Sequence, residues 1–209
     1  MRIALFTETY LPHINGVVTH VKSLKDGLEA LGHEVLVVCA DADAKTHYID
    51  QNHILRCPAK TSKKFYGYGL AFPYSKKRLE LLRSFRPDVL HIHNEFGIGL
   101  FGVHAAKKLK IPMVYTLHTM YDEYIYYVSP KLLLKPMTAL SHKYFKYFAK
   151  RAQALTGPSP KVVEYFQKIG IQKPVSIIPN PVDLDAFTPA NISEEKTKAF
   201  RTKYQIPID

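Results

Sequence analysis

The sequence predicts an α/β fold, a Rossmann-like doubly wound, mainly parallel sheet of about seven strands. Two observations predict it. The first is a series of short apolar runs, which are typical of buried strands. The second is that these runs alternate with longer stretches whose apolar residues recur at spacings of three and four, the period of an amphipathic helix. Strands that alternate with helices form βαβ units, and helices cover both faces of the resulting parallel sheet.

The first part of the chain predicts three strands and two helices. Short apolar runs indicate buried strands at residues 2–6, 34–40 and 53–57. Residues 17–31 carry Val and Leu on one helical face, and Gly32 follows them where a C-cap glycine belongs. Residues 73–85 are typical of the second helix.

The rest of the chain predicts four more strands and three more helices. The strands are residues 88–93, 112–117, 154–157 and 175–178. The helices are residues 97–109, 130–151 and 159–169. The last helix has its own signals, since Ser159 is a suitable N-cap, Pro160 is favoured in a first turn and Gly170 suits the end.

The composition indicates a globular protein with a buried core. Of the 209 residues, 46% are hydrophobic and 22% are charged, which excludes an intrinsically disordered chain. Cys39 and Cys57 are too few for a disulfide scaffold, so we expect buried thiols in a reducing compartment. Neither the roughly 18 consecutive apolar residues of a membrane span nor a signal-peptide pattern occurs, so we expect a cytoplasmic protein.

The net charge of +11 indicates an acidic partner, such as nucleic acid, anionic lipid or a phosphorylated substrate. Basic residues concentrate in residues 56–86 and 131–151. At helical spacing, one face of the second stretch carries Lys135, Lys143, Lys146 and Lys150. The opposite face carries Met137, Leu140, Tyr144, Phe148 and Ala152.

Two interpretations of this basic helix remain open. It is a core-facing helix with a solvated basic back, or a membrane-surface patch whose lysines meet anionic head groups. The two are compatible, since the apolar face can pack on the sheet while the basic face meets lipid. Nucleic acid is not favoured, because no recognised nucleic-acid motif accompanies the charge.

Ligands of an open parallel sheet bind at the carboxyl ends of its strands, where Asn15 and Gly16 stand between a predicted strand and a predicted helix. Glycine allows a ligand to approach the backbone, and the N–H groups of a helix start attract phosphate. The same dipeptide is also typical of a plain turn. The G-x-G-x-x-G and P-loop motifs are absent, which disfavours a dinucleotide site.

Histidines mark two further strand ends. His91 and His93 alternate on strand 88–93, and Glu95 follows it. No third ligand is obvious nearby, so we expect no metal there. His91 is interpreted as a core residue, whereas His93 and Glu95 are expected to face a substrate. His118 leaves strand 112–117, where an imidazole can bind a hydroxyl, shuttle a proton or serve the structure alone.

Five separated motifs then carry a resemblance to a known family: ETYLPHINGVVTHV, LEALGHEVLVV, RPDVLHIHNEFGIGL, IPMVYTLHTMYDEY and SIIPNPVDLDAF. From Met1 to about Phe187 the chain resembles the N-terminal domain of family 4 retaining glycosyltransferases of the GT-B fold. Within that family it is most similar to bacterial 1,2-diacylglycerol 3-α-glucosyltransferases. These are cytoplasmic enzymes of the membrane surface that move glucose from UDP-glucose to diacylglycerol.

The resemblance implies roles for the residues already singled out. Asn15 and Gly16 would lie beside the donor diphosphate, although this chain has Asn-Gly where many members have Gly-Gly. His118 would contact the transferred sugar near its 6-hydroxyl, and His93 and Glu95 would lie towards the acceptor. The resemblance implies no metal or other cofactor, and an anionic membrane surface as partner.

The resemblance also implies the domain organisation. Residues 1–187 would form the acceptor-side domain, and residues 188–209 a linker towards a missing C-terminal nucleotide-sugar domain. The isolated chain would then be inactive. Three alternatives stay open: another acceptor such as phosphatidylinositol or a polysaccharide precursor, a nucleotide-sugar epimerase, and a non-catalytic membrane-binding module.

Overall fold

The computed structural model describes residues 1–61, 69–120, 133–182, 184 and 187–207. It divides the chain into two compact units, Met1–Pro179 and Asn180–Asp209. Residues 62–68 and 121–132 lie outside the described residues. They include part of each basic stretch and the start of the helix predicted at residues 130–151.

The first unit is built on a mainly parallel sheet, as predicted. In the described residues its nine strands are β1 Arg2–Thr7, β2 Glu34–Asp41, β3 Tyr48–Ile49, β4 Ile54–Thr61, β5 Gly69–Ala71, β6 Val89–Ile92, β7 Met113–Thr116, β8 Ala154–Gly157 and β9 Val175–Ile177. Their order is β3-β4-β2-β1-β6-β7-β8-β9, with β5 paired to β4. All seven predicted strands are present and pair in parallel, whereas the short β3 and β5 pair with β4 in the antiparallel direction.

Five α-helices of the first unit are described: α1 Gly16–Ala30, α2 Lys76–Phe85, α3 Gly97–Leu109, α4 Leu134–Arg151 and α5 Pro160–Lys168. Side-chain caps fix two of the starts. Asn15 accepts a hydrogen bond from the Val18 amide, and Ser75 accepts one from the Arg78 amide, each satisfying a donor that a helix start leaves open. Ser159 stands at the predicted N-cap position of α5, but its side chain makes no capping bond.

Two apolar clusters lie on opposite faces of the sheet, because successive side chains of a strand point to opposite sides. From β1, Ala4 and Phe6 join the cluster that contains the buried residues of α3, α4 and α5. Ile3 and Leu5 join the cluster formed with α1. Cys39 and Cys57 are buried free thiols, as predicted.

The strand order reverses between β1 and β6, and this reversal positions the functional residues. β1 and β6 are paired and parallel. The chain continues from β1 to β2 in one half of the sheet, and from β6 to β7 in the other half. A crevice opens at such a switch point beyond the carboxyl ends of the strands. Asn94 ties these ends together, since its Oδ1 accepts bonds from the Glu8 amide at 2.9 Å and the Thr7 hydroxyl at 2.8 Å.

The second unit contains a short 3₁₀ helix, Pro189–Asn191, and helix α6, Glu194–Lys203. Ser193 caps α6 through the Lys196 amide. Glu194 and Glu195 stand in its first turn and Arg201 and Lys203 in its last, which is the charge order that the helix dipole favours.

Candidate functional site

Three histidines meet at the switch point: His20 from α1, His93 directly after β6 and His118 shortly after β7. The His93 Nδ1 atom lies 3.1 Å from the His118 Nε2 atom. The His20 ring centroid is 4.8 Å from that of His118 and 5.5 Å from that of His93. The structure therefore brings together His93 and His118, which the sequence singled out, and adds His20.

Sequence reasoning missed His20, although a signal for it exists. His20 lies three residues after Val17 and directly before Val21, on the apolar stripe of α1. A histidine on a core-facing stripe that leads away from a strand end is a candidate for the site at that end. His20 is buried, with 6% of its surface exposed.

Burial keeps the imidazoles of His91, His93 and His118 neutral at physiological pH. Desolvation, together with a smaller effect of the nearby His20, lowers the pKa of His118 to about 3. Desolvation also lowers the pKa of His91 to about 3 and that of His93 well below its ordinary value. Each neutral ring offers one N–H donor and one acceptor nitrogen. The chemistry available here is hydrogen bonding, because an imidazolium ion is not accessible near pH 7.

The hydrogen bond between His93 and His118 favours one arrangement of protons. The His93 Nε2 atom is buried and has no hydrogen-bond partner. A buried N–H without an acceptor is rarer than an acceptor without a donor, so we assign the His93 proton to Nδ1, which donates to His118 Nε2. His118 then carries its own proton on Nδ1, where it can be donated to a ligand oxygen.

The start of α1 lies four residues before His20 and has the features of an anion site. Gly16 is exposed, and a Cβ atom added to it would meet nothing within 4 Å. The Asn15 side chain is occupied by the cap, with Oδ1 2.9 Å from the Val18 amide nitrogen and Nδ2 3.2 Å from the Thr9 hydroxyl. The backbone N–H groups and the helix dipole are therefore the groups that remain to meet a phosphate.

Glu95 is buried rather than open to the crevice, with 2% of its surface exposed. Its Oε1 atom accepts a 2.7 Å hydrogen bond from the Tyr115 hydroxyl, and its backbone carbonyl accepts one from the Tyr144 hydroxyl. These bonds fix the turn between β6 and α3. The expected acceptor-side role of Glu95 stays a prediction.

The three histidine side chains also have the composition of a metal-ligand group. Their nitrogens lie within 4.8 Å of one another, and neutral imidazole is a common zinc ligand. Two of these nitrogens are already at hydrogen-bond distance from each other. The sequence-based expectation of no metal stays a prediction.

Glu8, at the end of β1, is a second residue that sequence reasoning missed. Its Oε1 accepts from the Ala71 amide and its Oε2 from the Ile98 amide, both at 2.8 Å. This carboxyl therefore joins β1 to β5 and to the first turn of α3. Desolvation raises its pKa to about 7, against the opposing effect of the two backbone bonds and of Arg78.

Glu8→Gln is expected to remove a pH dependence of stability. A carboxyl whose folded pKa is raised stabilises the fold below its unfolded pKa, and that contribution is lost as the pH rises towards 7. Relative to the variant, the wild type should therefore lose about 3 kcal/mol of unfolding free energy between pH 4.5 and pH 8. Urea unfolding at both pH values measures it. The exposed Glu164→Gln is the control, and a pH-independent difference for Glu8 would contradict the prediction.

The basic helix α4 differs from its predicted form in one respect. Its C-terminal half packs on the core through Phe145, Phe148 and Ala149. Met137 and Leu140, expected on the same core face, are 37% and 67% exposed. In the described part of the chain, the buried residues of α4 all belong to its C-terminal half.

Three of the four predicted membrane-contacting lysines, Lys135, Lys143 and Lys150, are exposed. Lys146 is only half-exposed, and its Nζ lies 3.4 Å from the position that a Cβ of Gly170 would occupy. Among the helices of the described residues, none combines the length and hydropathy needed to cross a bilayer.

Comparison with known proteins identifies relatives of this chain. A family model described as Glycosyltransferase Family 4 matches residues 14–186. The alpha-monoglucosyldiacylglycerol synthase of Acholeplasma laidlawii is 37% identical over 215 residues, which cover 100% of this chain and 53% of that protein. The enzyme of the same name from Streptococcus pneumoniae is 31% identical over 207 residues, which cover 99% of this chain and 46% of that protein.

Solved structures resemble the fold. A glycosyltransferase from Rickettsia africae superposes with a TM-score of 0.62 at 16% identity, covering 100% of this chain and 50% of that one. At this identity the likeness concerns the fold alone. The chain spans about half the length of the curated relatives it matches.

Proposed function

The chain belongs to glycosyltransferase family 4, and on that basis we propose that it forms the acceptor-side lobe of a retaining GT-B enzyme. This enzyme transfers a hexose, glucose from UDP-glucose, to diacylglycerol at the membrane surface. Two relatives that cover nearly the whole chain are named alpha-monoglucosyldiacylglycerol synthases, and they support this choice of donor sugar and acceptor. A second lobe, which binds the nucleotide, completes the cleft.

One observation carries the proposal: an open helix start and a neutral histidine stand at the same strand-end crevice. The exposed Gly16 at the start of α1 suits a diphosphate. His118, whose ring centroid lies 4.8 Å from that of His20, suits a hydroxyl of the transferred sugar. A nucleotide sugar joins a diphosphate directly to a sugar, so both contacts fit one donor molecule.

The mechanism follows from what these groups can do. Departure of UDP leaves an oxocarbenium-like sugar, and the diacylglycerol hydroxyl arrives on the face that UDP leaves, losing its proton to the departing phosphate. The N-terminus of α1 stabilises the phosphate charge. His118 donates a hydrogen bond to the sugar and holds it in position, because burial lowers its pKa and keeps the imidazole neutral near pH 7. His93 positions His118 through their hydrogen bond.

The test uses the protein expressed from its complete coding sequence. It is assayed with a panel of nucleotide sugars against diacylglycerol and against phosphatidylinositol, each in anionic vesicles. We expect glucosyl transfer to diacylglycerol with retained configuration, and no transfer by the 209-residue chain alone. Transfer only to phosphatidylinositol would correct the acceptor. Vesicle binding without any transfer would support a non-catalytic membrane module instead.

The membrane contact is tested on the exposed lysines of α4. Lys135, Lys143 and Lys150, each changed to Glu, should together weaken binding to anionic vesicles at least about 100-fold, at ~1 kcal/mol for each lysine removed. Co-sedimentation with vesicles of defined phosphatidylglycerol content measures this.

The matched control reverses three exposed charges at the C-terminal end of α3, namely Lys107 and Lys108 in its last turn and Lys110 at its C-cap. It should bind nearly as the wild type does. Equal losses in the two triple variants would show that net charge, rather than α4, sets the affinity.

A further inference from the structure

An apolar groove lies on the exposed side of α4, near the N-terminal part of α3. Its lining residues are Leu100, Leu140, Lys143, Tyr144 and Tyr147, and its volume is about 320 Å³. Leu140 is 67% exposed and Tyr147 is 38% exposed. Exposed apolar residues are ordinary when scattered, but a concave group of them marks a binding surface.

Two lining residues of the groove are bonded to the turn between β6 and α3, beside the candidate site. The Tyr144 hydroxyl donates to the backbone carbonyl of Glu95, in the turn that links β6 to α3. This turn begins at His93, which is hydrogen-bonded to His118. Leu100 lies in α3, and its amide bonds the carbonyl of Phe96 at the end of the same turn. A molecule in the groove would therefore contact Tyr144 and Leu100, which are both bonded to the turn that supports the site.

The chemistry of the lining indicates a hydrocarbon chain with a polar or anionic end. Among the five lining residues the charged one is Lys143, and the sequence of α4 contains no Asp or Glu. Lysine can lay its methylenes along an apolar surface and extend its ammonium group to ester or phosphate oxygens. The two tyrosines offer flat apolar walls with polar tips.

We propose that this groove holds an acyl chain of the lipid acceptor, so that α4 binds the substrate itself as well as the membrane surface. The inference rests on the proposed function for the identity of the lipid. It assigns to Leu140 and Tyr147 a role in acceptor binding that is separate from the electrostatic role of the exposed lysines.

The first test does not depend on catalysis. A diacylglycerol with a photoactivatable diazirine in one acyl chain is added in detergent micelles to the 209-residue chain and to the complete protein. We expect cross-links in the peptide that contains Leu140 and Tyr147, and competition by unlabelled diacylglycerol. Leu140→Glu should lower the cross-linking about tenfold. Met137→Glu, which adds the same charge one turn away and outside the groove, should leave it unchanged.

The second test uses the complete enzyme in mixed micelles. Leu140→Glu should raise the KM for long-chain diacylglycerol about tenfold, with the KM for the nucleotide sugar unchanged and vesicle binding no weaker than that of Met137→Glu, which adds the same charge to α4. Equal losses of vesicle binding and transfer would overturn the proposal and make this face a membrane anchor. Cross-linking in the chain but not in the complete protein would overturn it as well, because another segment then covers the groove. If the complete enzyme transfers sugar to no diacylglycerol, the proposed function fails, and the cross-linking result still decides the groove.

Discussion

Gly97→Ala is expected to prevent stable folding of the Met1–Pro179 unit. Gly97 is the first residue of α3, and a Cβ atom there would lie 1.8 Å from the carbonyl oxygen of Ala71 and 2.8 Å from its carbonyl carbon. Ala71 cannot move aside easily, because β5 is paired with β4 and the Ala71 amide is bonded to Glu8. We expect a loss of more than about 4 kcal/mol in the free energy of unfolding.

The matched control is Gly27→Ala in α1, where a Cβ would meet nothing within 4 Å. Alanine is favoured over glycine inside a helix by up to about 1 kcal/mol, so this variant should be as stable as the wild type or more so. Urea unfolding followed by circular dichroism compares the two. If both variants unfold at the wild-type denaturant concentration, the close approach between α3 and β5 does not exist.

The second large effect is expected at His118. In the complete enzyme, His118→Ala should lower kcat about 10²–10³-fold, the loss typical of removing one hydrogen-bond donor aimed at the reacting group. Vesicle binding and the unfolding midpoint should stay close to those of the wild type. The pKa of His118 is lowered to about 3, so its titration should cause no change in kcat between pH 6 and pH 8. A fall in kcat that follows a pKa near 6.5 and vanishes in the variant would assign it a proton-transfer role instead.

Variants of two other histidines accompany His118→Ala: one at His104 as a control, and two at His93 that test whether it positions His118. His104 is exposed on α3, away from the three-histidine group, and His104→Ala should leave kcat unchanged. His93→Asn keeps a hydrogen-bond donor near the position of Nδ1, whereas His93→Leu removes that donor. If His93 positions His118, Asn should retain much more of the kcat than Leu does. Equal losses in the two variants would indicate a purely structural role for His93.

The parallel sheet could be predicted from the sequence because each central strand is buried on both faces. Val35 to Cys39 in β2 and Ala4 to Phe6 in β1 form continuous apolar runs that end at polar turns. The added strands β3 and β5 have only two and three residues. A segment that short cannot show a periodicity, and tertiary pairing with β4 decides its conformation.

The site was predictable only where a residue follows a strand directly. His93 and His118 leave strands, so the rule about carboxyl ends locates them. His20 lies within α1 rather than at a strand end, and Glu8 acts through amides of β5 and α3 that are 63 and 90 residues away in sequence. The helical period of α4 was equally visible, but it does not reveal that only the C-terminal half of this helix contributes buried residues to the core.

The two-residue strand β3 has a consequence for the behaviour of the chain in solution. The outer strand of a sheet offers unpaired amides and carbonyls to which a second molecule can add. At this margin β3 itself offers only Tyr48 and Ile49, which is a short segment for pairing with another strand. Together with the mutual repulsion of molecules that carry a net charge of +11, this short margin should oppose self-association through that side of the sheet.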